Sequence, residues 1–387
     1  MSRNSVSINP NLITWARERA RLSAETLSKR FPKIQEWEGG QLQPTLRQLE
    51  DFATAVHVPI GYLFLPEPVQ EALPVSDFRT IADRELSRPS PNLLDTLYLC
   101  QERQTWYREY MQLHRLDIST FVGSAKLSDS PITIARRIET LLGLSFAKRR
   151  SFTNWTEALR SFVQKVEEEG VLVMASSIVG SNTHRHLDVE EFRGFALADN
   201  YAPLIFLNTN DSKAAQMFTL FHELAHLYLG ESGISNVSVG QFSEKEIERW
   251  CNAVAAEFLM PMEETLAEYN ADVPILDEIQ RLAKIFKVSS LVAFRRLYDA
   301  KKINQRDFWK FFQEEVDRIS EVRISGSGGG DFYRTLGVRV GNRFAKAVVT
   351  STLEGQTLFR DAFRMLGFKK NETFYKEARQ LGLIDAA

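Results

Sequence analysis

The run Phe221-His222-Glu223-Leu224-Ala225-His226-Leu227 holds the residues best placed to do chemistry. It is an H-E-x-x-H motif with apolar neighbours on both sides. On a helix, His222 and His226 stand one turn apart on one face, so both imidazoles can reach a single Zn²⁺. Glu223 then lies beside water at the open coordination position and can act as general base. The chemistry implied is hydrolysis of an amide bond by a zinc peptidase. Met217 to Leu229 has no Gly or Pro, which favours a helix, and its apolar flanks imply a buried setting. On a plain core helix, two buried imidazoles and a carboxylate within one turn would be costly. Two of the chain's six histidines fall in this motif.

Such a site needs a third protein ligand and a free fourth position. The stretch from Glu246 to Met260 reads as a helix that Pro261 helps to end. Ile247, Cys251, Val254 and Phe258 form its apolar stripe. Glu248 borders that stripe, with Asn252 one turn later. A carboxylate there points inward, which is costly unless it is paired or bound to metal. Glu248 is therefore the expected third ligand, with Glu244 second in line on the same face near the frayed start. Glu257 is about half a turn out of phase and is expected to face away. Asn252 is expected to steady the Glu248 carboxylate as a donor behind the ligands. The competing reading of Glu248 is a surface salt bridge with Arg249 or Lys245.

Three blocks of sequence carry a resemblance. Phe218-Thr219-Leu220-Phe221-His222-Glu223-Leu224-Ala225-His226 is followed by Glu248-Arg249-Trp250-Cys251-Asn252 and by Ala255-Ala256-Glu257-Phe258-Leu259-Met260-Pro261. Together they resemble the ImmA/IrrE metallopeptidases. Arg193-Gly194-Phe195-Ala196-Leu197 and Ile205-Phe206-Leu207-Asn208 match the strands that precede the zinc helix in that family. The resemblance spans roughly residues 160 to 300. It implies His222, His226 and Glu248 as ligands, Glu223 as base, and a bacterial cytoplasmic regulator. Relatives of that kind cut, or control, a helix-turn-helix repressor. It leaves open which residue steadies the tetrahedral oxyanion; His184, His186, Arg193, Tyr201 and Tyr228 are candidates by type.

The elements that must position these groups come next. At 387 residues, two to three domains are expected. A hydrophobic fraction of 44% and a charged fraction of 25% are ordinary for a soluble protein, and a net charge of −2 excludes a polyelectrolyte binder. Cys100 and Cys251 are far apart, which argues against a disulfide framework. No apolar run approaches a membrane span, and Met1 to Asn11 lacks the apolar core of a signal peptide. The cytoplasm is the expected compartment.

The chain starts with a helical module. Leu12, Ala16, Leu22, Leu27, Ile34 and Trp37 are its apolar positions, and Ser23 looks like an N-cap. Trp37-Glu38-Gly39, then Pro44-Thr45 and the trailing Leu49, Ala53 and Val58-Pro59, resemble the Xre-type helix-turn-helix over residues 9 to 66. Here the interval from Leu27 to Glu38 is eleven residues, about one helical turn shorter than is typical of that motif. The loss falls in the turn and the recognition helix, and Pro32 sits where the turn should be. Residues 1 to 50 hold eight basic and five acidic side chains, a weak electrostatic footprint. DNA is thus a possible partner, and a scaffold for dimerisation or protein docking is the alternative.

Prolines punctuate residues 66 to 92, and Asp77-Phe78-Arg79-Thr80 within them reads as a short docking segment. Residues 93 to 148 read as helical, with Leu93, Leu94, Leu97, Trp106, Tyr110 and Leu113 on period. A helix is expected from Asn154 to Glu169, then strands at 170–174, 194–198 and 204–207. The edge of that small sheet could take an extended substrate segment by strand addition. Residues 281 to 302 carry seven basic groups and one acidic, in a second helix-turn-helix-like pair. They read either as a buttress of the zinc site with a solvated basic face or as a nucleic-acid contact. Ser325 to Gly330 marks a Gly-rich joint, followed by a small C-terminal docking domain with a helix from Leu358 to Leu366.

The expected fold is α+β and mostly helical. It comprises an Xre-like module (1–70), a linker and helical connector (71–150), a zincin-like core with a small β-sheet (151–270), basic helices (271–320) and a C-terminal region (331–387). The expected function is a Zn²⁺ endopeptidase that cuts or controls a repressor or antitoxin partner from its own operon. The alternative follows from fused Xre–ImmA/IrrE chains, which resemble components of toxin–antitoxin operons beside PIN-type nucleases. In that role the chain would neutralise a toxin and repress its own promoter without proteolysis. A third reading has the zinc site fold the domain and sense metal or stress without turnover.

Overall fold

A computed structural model describes residues 5–71, 73–77, 89–235, 245–323 and 337–385, with backbone alone for 316–323. The fold is α+β and mostly helical, as its sequence patterning implies. The chain divides into two compact units: residues 1–74 with 81–98, and 75–80 with 99–387.

The first unit holds α1 (Pro10–Arg19), α2 (Ala24–Ser28), α3 (Ile34–Glu38), α4 (Leu46–Ala55) and a 3₁₀ turn (Ile60–Phe64). Ser23 caps α2 through the Thr26 amide, and Thr45 with Gln48 forms a capping box on α4. Leu12, Ile13, Trp15, Ile34, Trp37 and Phe52 fill a common core, with Leu22 only partly covered. α3 has five residues, the consequence of the shortened interval between Leu27 and Glu38.

The long helix α5 (Pro91–Leu113) leads into the second unit. Helix does not persist to residue 148. Residues 114–130 are irregular, and α6 (Pro131–Leu142) and α7 (Phe146–Arg150) follow. The amides of Gly123 and Ala125 in that stretch bond to the carbonyls of Leu227 and Tyr228. They tie that stretch to the last turn of the H-E-x-x-H helix, where carbonyls lack a following turn to bond to, a task that a continued helix could not perform. Leu113, expected on the apolar stripe, is 69% exposed.

α8 (Trp155–Glu168), capped by Asn154, precedes a five-stranded sheet. Its strands are β1 (Ser76–Asp77), β2 (Leu172–Ser176), β3 (Gly194–Leu197), β4 (Leu204–Asn208) and β5 (Gly233–Ser235), in the order β1-β5-β3-β4-β2. β2 starts two residues later than its apolar run suggests, because Gly170 sits at φ +96° in the turn from α8. β2 runs parallel to β4, β3 is antiparallel to β4 and β5, and β1 runs parallel to β5.

Across this sheet lies α9 (Lys213–Leu229), capped by Ser212 and ended by Gly230 in the left-handed region. It is buried from Gln216 to Tyr228 because β3, β4, α8 and α10 (Glu246–Leu259) surround it. The short α11 (Met262–Glu268) leads to α12 (Ile275–Phe286), α13 (Ser290–Asp299) and α14 (Gln305–Arg323). Their apolar faces, including Leu282, Phe286, Val292 and Leu297, join the core around α9. The basic residues of this stretch are mostly engaged locally. Arg281 bonds to Glu278, Arg295 to Asp299 and Arg296 to Glu257, and Lys302 lies over Tyr269. The pair thus buttresses the core.

Three further helices, Asn342–Leu353, Phe359–Leu366 and Asn371–Gln380, belong to the same unit. The Arg343 amide donates to Glu167 of α8, and a Cβ at Gly341 would meet the Val173 carbonyl at 2.6 Å. The Gly-rich joint 325–330, residues 78–80 of the expected docking segment, and Glu244 lie outside the described residues. Among the described residues no helix is long and apolar enough to cross a membrane.

Candidate metal centre

α9 presents His222 and His226 on one face, and α10 lies alongside and presents Glu248 to them. All three are buried, and their ligand atoms lie within 4.8 Å of one another. Nε2 of His226 is 3.1 Å from Nε2 of His222 and 3.0 Å from Oε1 of Glu248. Nε2 of His222 is 3.3 Å from Oε2 of Glu248. Ligands about 2.1 Å from a tetrahedral zinc sit about 3.4 Å apart, so this spacing is close to what one small ion imposes. Two imidazole nitrogens facing each other across a carboxylate are otherwise hard to satisfy, because each neutral ring has one donor and one acceptor.

The position of Asn252 differs from the expectation. Its Oδ1 is 3.1 Å from Nδ1 of His222, not on the Glu248 carboxylate. Asn252 is one turn beyond Glu248 on α10, and the crossing of α10 over α9 brings that turn to the far side of the His222 ring. An acceptor there makes Nδ1 the protonated nitrogen and leaves the Nε2 lone pair facing the centre. Glu257 stays outside the cluster and pairs with Arg296 on α13.

Glu223 is fully buried, and among the described residues neither carboxylate oxygen has a hydrogen-bond partner that meets distance and angle criteria. Burial pushes its carboxyl well above the usual carboxylate range, and the Glu248 charge adds to the effect. The nearby Ser235 hydroxyl works in the opposite direction, and its Oγ is also buried with no other partner among the described residues. For Glu248, burial raises the carboxyl, but the His222 and His226 imidazoles outweigh it and bring it down to about 2. Burial lowers His226, against the pull of Glu248. The centre therefore gathers two imidazoles and a carboxylate on one point. Orphaned polar groups around a cluster of nitrogen and oxygen donors fit a divalent ion with water beside it.

Two residues at the site escaped the reading of sequence. A Cβ at Gly194 would lie 2.5 Å from Thr219 Cγ2, 2.8 Å from the Phe206 carbonyl and 3.3 Å from Glu223 Oε1. Only glycine lets β3 approach α9 so closely, and a glycine inside a strand pattern was the available signal. Ser235 of β5 pairs with Gly194 and so reaches the site only through sheet register; nothing in its local sequence marks it. Of the oxyanion candidates, Arg193 is bonded to Asp211 at 2.7 Å. Tyr228 packs against Phe121 with Arg137 over its ring. His184 and His186 are exposed between β2 and β3, and Tyr201 is half-buried.

Residues 340–380 match the family model of a domain of unknown function (DUF8813). No curated protein matches the chain. Residues 166–298, which contain every member of the cluster, match the Peptidase_M78 family model, described as the IrrE N-terminal-like domain. Over this stretch the chain is therefore similar to a metallopeptidase-type regulatory domain.

Proposed function

We propose that this chain is a zinc-dependent endopeptidase that cuts, and so controls, a repressor or antitoxin protein. The observation that carries the reading is the convergence of His222, His226 and Glu248 within 4.8 Å, beside an unpartnered Glu223. Two histidines and one carboxylate are the ligand set of a catalytic zinc with an open position, a set that leaves room for water and a carbonyl. Zinc held there supplies Lewis acidity and lowers the pKa of water in its shell.

The chain's own residues do the rest. Asn252 fixes the His222 ring and its tautomer. Glu223 accepts a proton from the attacking water and passes it to the leaving amine. The glycine at 194 leaves room for the carboxylate against β3. The buried surroundings exclude bulk water and strengthen each electrostatic contact. The N-terminal unit would supply the regulatory partner contact, with DNA a second candidate.

The test uses Glu223→Gln in the full chain, co-expressed with the neighbouring genes of its operon. The variant retains about one zinc per chain by elemental analysis, while truncated partner disappears from the mass spectrum. Unchanged partner turnover in cells carrying the variant would favour an antitoxin that acts by binding alone.

A further inference from the structure

The sheet edge nearest the metal cluster carries a strand from elsewhere in the chain. β5 pairs on one side with β3, and Ser235 of β5 is one of the groups acting on Glu223. On its other side β5 pairs with Ser76–Asp77, in the register Ser76↔Gly233 and Asp77↔Ile234. Asp77 therefore lies opposite the residue just before Ser235. Lys245, the N-cap residue of α10, donates its Nζ to the Asp77 carbonyl. Residues 75–77 fall in the same compact unit as the metal cluster, whereas the described residues before them and residues 89–98 after them fall in the first unit.

A sheet edge offers unpaired N–H and C=O groups that recognise an extended backbone whatever its side chains. Here that recognition is already used. The occupying strand has two residues, makes few ladder bonds, and is exposed at Ser76. A short strand of this kind holds the edge yet gives way to a longer one, since each added pair contributes further backbone bonds.

We infer that Ser76–Asp77 is a self-strand that occupies the substrate edge of β5. An extended segment of a protein partner adds there only by displacing it. The inference rests on the peptidase reading for the identity of the incoming strand. It goes beyond that reading in assigning the linker as the element that restrains access. Because the linker returns to the first unit on both sides, events on that unit have a covalent route to the edge.

The test compares the zinc-loaded full chain with a Ser76→Pro/Asp77→Pro variant, in which both backbone donors of the strand are gone. Hydrogen exchange by mass spectrometry over residues 231–235 should speed up at least tenfold, with exchange in α9 and α10 unchanged as proof of folding. In a Glu223→Gln background, labelled casein, an unfolded probe protein, should bind about tenfold tighter by fluorescence anisotropy. In the Glu223 parent, casein cleavage should rise in step. Ser76→Ala, which keeps the backbone donor, should leave casein binding within about twofold of the parent.

Unchanged exchange in residues 231–235 would overturn the inference, because the pairing would then not protect the edge. Faster exchange without tighter casein binding would overturn it too. Tighter binding with no cleavage by any Glu223-bearing form would uphold the self-strand and sink the peptidase reading instead.

Discussion

Helix α10 carries two covered carboxylates nine residues apart, and they meet opposite fates. Glu248, near the start, faces two imidazoles on α9. Glu257, near the end, faces the Arg296 guanidinium on α13. Nine residues are two and a half turns, so the two point to different neighbours. At Glu257 the partner brings a permanent positive charge, and the pair is complete without help. At Glu248 the partners are histidines, one of which burial drives toward neutrality, and Glu223 lies close by. The Glu257 end is a clamp between helices. The Glu248 end gathers three donor groups on one point, and that convergence distinguishes a candidate metal site from a salt bridge.

Replacing one carboxylate at a time breaks the comparison if it is wrong. Glu248→Ala should weaken zinc retention on the order of a thousandfold, read by competition with a chelator. Glu257→Gln should leave zinc affinity unchanged but lower stability by about 3 kcal/mol in urea unfolding, because it strands Arg296 without its charge partner. Zinc loss in the Glu257 variant and retention in the Glu248 variant would reverse the assignment of the two ends.

A third buried carboxylate sharpens the contrast. Glu167 accepts the Arg343 amide at 3.2 Å, yet burial pushes it up to about 7 from an ordinary 4.5. Its folded state binds the proton more tightly than the unfolded chain does. Stability from this group is therefore full below pH 4.5, declines as pH rises to about 7, and is flat beyond. The loss across that window is about 3 kcal/mol. Glu167→Gln should remove that slope and raise stability at pH 8, as thermal melts across the range would report. The smallest effect is expected at Asn252. Asn252→Ala should cost about tenfold in zinc affinity, since it frees the His222 ring without removing a ligand. No change would mean that packing alone orients the ring.

Much of the centre was legible in residue order. The H-E-x-x-H spacing put two imidazoles on one face, and the apolar stripe of α10 was enough to turn Glu248 inward and Glu257 out. Both inferences need only the helical period. The partner of Asn252 was not legible, because a helix's phase says which side a residue is on but not which neighbour awaits there. The irregular stretch 114–130 departs from the helical periodicity around it, because its amides bond to carbonyls about a hundred residues later. Gly194 and Ser235 matter through sheet register, and Ser76–Asp77 through pairing with a strand more than 150 residues away.

By itself, the sequence determined most of the helices, the cap at Ser23, and which residues of α9 and α10 face the cluster. These depend on interactions within a few residues of the chain. Tertiary structure alone decided that the donors converge, that Glu223 and Ser235 are left without partners, and that a linker strand lies on the sheet edge. Those outcomes depend on which surfaces bury one another, and local periodicity carries no information about that.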